Sequence, residues 1–119
     1  MFALLLAIAA ASSSKVPPPA SDEGGIYMFE TGTSLLAKCR NKAPEYKLAC
    51  TAYIAGATDG IRKEMFLGRA RTVCWPKRMA AEDVKGTVVA YLERYPDQRG
   101  AAASALVSIA LNDRYPCQK

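Results

Sequence analysis

The sequence predicts an all-α fold, a small bundle of four or five short helices stabilised by two disulfides. Three observations carry this. Apolar residues recur at steps of three and four through most of the chain beyond residue 27. Prolines stand where those periodic stretches begin or end, at Pro44 and Pro96, and Pro76 breaks the connection between two of them. Four cysteines occur with no histidine, a count that suits cross-linking better than metal binding.

The chain opens MFALLLAIAAASSSK. Leu4, Leu5, Leu6 and Ile8 form an uncharged apolar run that is too short to span a bilayer and suits a signal-peptide core. Ala7-Ile8-Ala9 and Ala9-Ala10-Ala11 each offer an A-x-A cleavage site, although the basic residues that normally precede such a run are missing between Met1 and Phe2. Residues 1–11 are therefore expected to be a signal peptide and the protein periplasmic, with no stable membrane anchor. Residues 12–26 read as a linker. They hold Pro17-Pro18-Pro19, a serine run and Gly24-Gly25, and bury too little apolar surface to offset the entropy of ordering. Residues 27–119 form the expected domain. Its core is small enough to need staples.

Within that domain Thr31 or Thr33 caps a first helix carrying Leu35, Leu36 and Cys39. Asn41 and Pro44 punctuate the chain, and a second helix starts near Pro44 or Glu45. Its inward stripe reads Tyr46, Cys50, Tyr53, Ile54, Ala57, Ile61 and Met65. Ala52, Ala55 and Gly56 are expected to admit a neighbouring backbone, and Gly68 to stop the helix. Arg69–Met79 is a connection broken by Trp75-Pro76. A third helix runs from about Ala80 to Tyr95 with Glu82 and Asp83 favourable in its first turn. Its stripe is Val84, Val88, Tyr91, Leu92 and Tyr95. A last helix covers roughly Arg99 to Arg114, with Ala103, Leu106, Val107, Ala110 and Leu111 inward.

Cys39, Cys50, Cys74 and Cys117 contain no Cys-x-x-Cys pair, so neither a zinc site nor a close redox couple is indicated. An oxidising compartment favours structural disulfides. Three connectivities are possible and spacing alone does not choose. Cys39–Cys50 with Cys74–Cys117 is favoured, because the first would tie one helix end to the next across a short turn. The second would pin the C-terminus to the middle of the chain.

Serine and cysteine nucleophiles usually need a nearby base, most often histidine, and the chain has none. Glu82 and Asp83 are adjacent and diverge on a helix, so they do not form a catalytic pair. No enzyme, cofactor or metal is expected. Charge is more informative. Between Arg62 and Arg78 six cations face Glu64 alone, so this stretch carries the +5 of the whole chain. Met65-Phe66-Leu67 interrupts it with apolar bulk. Such a mixture suits docking to an acidic protein partner. Its alternative is a solvated loop whose Met and Phe enter the core. Nucleic acid is disfavoured by export.

FETGTSLLAKC at Phe29–Cys39, CTAYIAGATDG at Cys50–Gly60, VCWPKRM at Val73–Met79, VVAYLERYPDQR at Val88–Arg99 and RYPC at Arg114–Cys117 occur in this order. In this series the chain resembles the Rap/Tai type of periplasmic immunity protein. Ala80 stands where a hydroxyl cap would be usual in that family. The resemblance implies an all-α domain with two disulfides, often a homodimer, that neutralises a cell-wall amidase effector of type VI secretion by occluding its active site. It implies no catalytic residues. Partner contacts are expected on Asp59, Arg69 and Arg71 and on the turn holding Tyr95, Asp97 and Arg99. The alternative function is a stress-related periplasmic chaperone or an interaction domain without a toxin partner.

Overall fold

A computed structural model describes residues 29–69 and 73–117. The expected signal peptide and linker lie outside them, as does Arg71. The described residues form four helices: α1 (Gly32–Arg40), α2 (Pro44–Phe66), α3 (Ala81–Arg94) and α4 (Ala103–Arg114). A single 3₁₀ turn, Pro96–Gln98, precedes α4. Among the described residues there is no strand beyond two isolated bridges, Thr31 with Ala102 and Val73 with Pro116. No helix among them is long and apolar enough to cross a membrane.

Local chemistry explains the helix ends. Thr31 and Ser34 form a reciprocal capping box. The Ser34 N–H donates to Thr31 Oγ1 at 3.2 Å and the Thr31 N–H to Ser34 Oγ at 3.0 Å, satisfying two donors that a bare helix start would orphan. Asn41 Oδ1 accepts the Ala43 N–H at 2.9 Å, and Pro44 then opens α2. Ala80 has no hydroxyl with which to cap α3. Asp83 supplies half of the box instead, its Oδ2 accepting the Ala80 N–H at 3.1 Å. At the end of α2, Gly68 takes the left-handed conformation, φ 72°. Its N–H donates to Met65 O and that of Arg69 to Glu64 O, both at 3.0 Å. This is the Schellman arrangement.

The core is built from Leu35 and Leu36 of α1, Cys50 and Ile54 of α2, Val84, Val88 and Leu92 of α3, and Leu106, Val107 and Leu111 of α4, with Val73 between helices. α2 packs on all three other helices. The disulfides join Cys39 to Cys50 and Cys74 to Cys117, the favoured one of the three connectivities. The second is reinforced by the Cys74 N–H donating to Tyr115 O at 2.9 Å.

Three expectations are corrected. α4 begins at Ala103, four residues later than expected. The carbonyls of Arg99 and Ala101 instead accept the N–H groups of Thr33 and Gly32 at the start of α1, at 2.9 and 3.1 Å, and Glu30 O accepts the Ala103 N–H. The chain between the 3₁₀ turn and α4 thus serves α1's orphan donors, which a helix there could not do. Second, Ala52 and Gly56 are exposed and nothing lies within 4 Å of a Cβ built at Gly56. The close approach is at Gly32, where a Cβ would stand 2.5 Å from Leu106 Cδ1 and 3.0 Å from Arg99 Cα. Third, Tyr46 is exposed, because every residue of α2 before Cys50 lies on the surface.

Candidate functional site

Position along α2 decides which side chains are available for contact. Ile54, Thr58, Ile61 and Met65 follow one ridge onto the core. Thr58 is buried there with its hydroxyl donated to Ile54 O at 2.7 Å. Asp59, Arg62, Lys63 and Phe66 follow the next ridge, at i, i+3, i+4 and i+7, and all four are exposed. The run Met65-Phe66-Leu67 is therefore split. Met65 packs inward, while Phe66 is 89% and Leu67 51% exposed.

The segment from Val73 to Met79 lies against this half of α2. Trp75 is half-buried and donates its indole N–H to Met65 Sδ at 3.3 Å. The Arg62 guanidinium stands over its ring, 5.7 Å from the centroid, and Tyr115 lies 6.5 Å away. Asp59 borders a small hollow of about 130 Å³ with Thr58, Arg62, Trp75, Met79 and Val84. Arg69 returns across the end of α2 and grips Glu64 as a fork, Nε to Oε2 at 2.9 Å and Nη2 to Oε1 at 3.2 Å. Lys63 is 3.6 Å from the same carboxylate.

The remaining expected contacts sit elsewhere. Tyr95 caps α3 and packs on Tyr91 at 4.7 Å between ring centroids. Both border a wider groove of about 580 Å³ between α3 and α4, with Asp113 and Arg114 opposite. Burial raises the Tyr91 hydroxyl above its ordinary pKa, with the charges of Tyr95 and Asp113 adding to the effect. Asp97 is exposed in the 3₁₀ turn. Arg99 is committed to scaffold. Its Nε donates to Leu92 O at 2.6 Å and its Nη2 to Glu93 O at 3.2 Å, which satisfies carbonyls near the end of α3. The hollow beside Asp59 meets α3 at Ala81 and Val84, whereas Tyr95 follows its last residue. The two groups of expected contacts are thus about 20 Å apart along the helix.

Phe66 and Leu67 belong to the mixed basic and apolar stretch that suits docking but are not among the individual contacts expected from the sequence, and Trp75 is not expected at all. The i+7 spacing of Phe66 from Asp59 was the available signal, since it puts Phe66 on the exposed ridge one step round from Met65. Trp75 carries no such signal, because its position depends on the disulfide and on Met65.

A family model described as Rap1a immunity proteins matches residues 31–117. No curated protein and no solved structure matches the chain.

Proposed function

The chain belongs to the Rap1a immunity protein family, and on that premise we propose that it protects its own cell by binding and neutralising a secreted effector. The finer reading is that the effector is a peptidoglycan amidase delivered by type VI secretion, met in the periplasm and silenced by occlusion of its active site. The observation that carries the immunity reading is the extent of the family match, which begins at the Thr31 cap and ends at Cys117, so that it takes in all four helices and both cross-links; the amidase and its occlusion rest on the motif resemblance alone. Two disulfides suit an oxidising compartment, and the apolar start of the sequence supports export. The chain acts by contact and not by chemistry of its own. The proposed contacts are Asp59, Arg69, Arg71, Tyr95, Asp97 and Arg99, of which Arg99 would act through its exposed atoms while holding α3.

The test is periplasmic co-expression with candidate peptidoglycan amidase effectors, beginning with any that a neighbouring gene encodes. Rescue of growth and a purified complex are expected. The absence of both rescue and complex would remove the reading. The family resemblance also brings a homodimer, which sedimentation would report as a doubled mass. The exposed Leu48 and Phe66 side chains keep a second reading in view, a periplasmic chaperone. Suppression of client aggregation at acid pH, without any effector complex, would favour it.

A further inference from the structure

We propose that Phe66 and Leu67, at the capped end of α2, form the anchor by which this chain docks on its effector, and that the matching face of the effector is an apolar hollow edged by carboxylates. The inference rests on the immunity reading and names the partner chemistry of that contact.

The geometry of the helix end is the first argument. A Schellman end normally closes with an apolar contact between the residue two beyond the C-cap and the residue three before it. Here the C-cap is Leu67, so those two positions are Arg69 and Glu64. They close the motif with a forked ion pair at 2.9 and 3.2 Å. Of the three apolar residues between them, Met65 packs inward, whereas Phe66 and Leu67 are not needed to close the turn and are left facing water, at 89% and 51% exposure. The backbone beneath them is fixed by both Schellman hydrogen bonds, and Met65 beside them is held by Trp75. An exposed aromatic on a rigid, capped support is what a binding hot spot requires, since little ordering entropy remains to be lost on docking.

Charge is the second argument, and it selects the occupant. Arg62 and Lys63 lie one turn before Phe66 on its own ridge, and Arg69 lies just beyond it. Lys77 and Arg78 make no ion pair among the described residues and lie farther from the anchor, in the segment that runs from Trp75 at Met65 to Met79 at the hollow beside Asp59. Glu64, the acid of this stretch, is spent on Arg69 and Lys63. A second copy of this chain would bring the same cations against these. An apolar hollow with an acidic rim would accept the ring and leucine while pairing with the cations.

The test uses the full mature chain and a catalytically silenced form of the effector against which it protects in co-expression. Affinity is measured for wild type, Phe66→Ala, Arg69→Glu and Leu48→Ala. Leu48 is also exposed but stands roughly 27 Å away along the same helix. Phe66→Ala is expected to weaken binding about 30-fold or more, as a hot-spot truncation does. Arg69→Glu should lower the association rate and its salt dependence, and Leu48→Ala should change nothing. Unaltered helical circular dichroism shows that the variants fold. If wild type binds and Phe66→Ala binds equally well, the anchor is wrong and the immunity reading survives. If wild type neither binds nor protects, the immunity reading itself fails and takes this inference with it. A photo-cross-linking residue at position 66 that captures a second copy of the chain, and not the effector, would overturn the assignment in favour of self-association.

Discussion

Replacing Gly32 and Gly56 separately by alanine makes one chemical change in two settings, and the structure gives it opposite signs. At Gly32 the new Cβ would lie 2.5 Å from Leu106 Cδ1 and 3.0 Å from both Cα and O of Arg99. Leu106 is fully packed in the core. The Arg99 backbone is held by the Thr33 N–H at 2.9 Å and its hydroxyl at 3.2 Å, so neither neighbour can move freely. Overpacking of this kind costs about 1–3 kcal/mol. Better helix propensity returns at most about 1 kcal/mol, and less in a first turn. A net loss of about 1–2 kcal/mol corresponds to a fall of roughly 5–15 °C in Tm for a domain of this size. At Gly56 nothing lies within 4 Å and the position is exposed within α2, so alanine should stabilise by about 0.5–1 kcal/mol. Urea and thermal unfolding followed at 222 nm, with disulfides intact, measure both. In a Leu106→Ala background the Gly32→Ala penalty should shrink without vanishing, because the Arg99 backbone contact stays. A Gly32→Ala protein as stable as wild type, or a Gly56→Ala protein less stable, would refute the packing argument.

Removing Cys74–Cys117 as a double alanine variant should cost about 4 kcal/mol and removing Cys39–Cys50 about 3 kcal/mol in the loop-entropy model. Only the former should shift the emission of Trp75, the single tryptophan, because that bond fixes its segment against Tyr115. Equal spectra for the two variants would contradict this. Arg99→Ala should cost about 1–2 kcal/mol by leaving the Leu92 and Glu93 carbonyls without their donors. Arg99→Lys should restore only part, since an ammonium cannot reproduce the fork; denaturant titration reads both. The raised Tyr91 pKa means that the folded state holds this proton more tightly than the unfolded state. Its stabilising contribution is complete below the ordinary tyrosine value of 10 and is lost as pH climbs from there through the folded value. Stability measured from pH 8 to 11 should therefore fall less steeply in Tyr91→Phe than in wild type.

Much of the scaffold is legible because periodicity and punctuation are local. The ridge from Ile54 to Met65, the Thr31 cap, the Pro44 start and the Gly68 stop each follow from residues within a turn or two of one another. The inward positions of α4 follow in the same way, from Ala103 to Leu111. The late start of α4 does not. It depends on α1, whose Gly32 and Thr33 N–H groups draw the Ala101 and Arg99 carbonyls across a long stretch of sequence. The expected contacts were only partly separable for the same reason. Arg69 and Arg99 look alike in sequence, yet one grips Glu64 on the surface and the other caps the carbonyls of α3.

By itself the sequence determined the helical class, the cross-linking role of its cysteines, the family and the concentration of positive charge between Arg62 and Arg78. These follow from composition, ordered motifs and the period of the helix. Tertiary structure alone decided which glycine is pressed by a neighbour, where Trp75 rests and which arginine serves as scaffold. It also set Met65 against Trp75 and left Phe66 in water, because burial depends on which elements meet, and those elements are far apart along the chain.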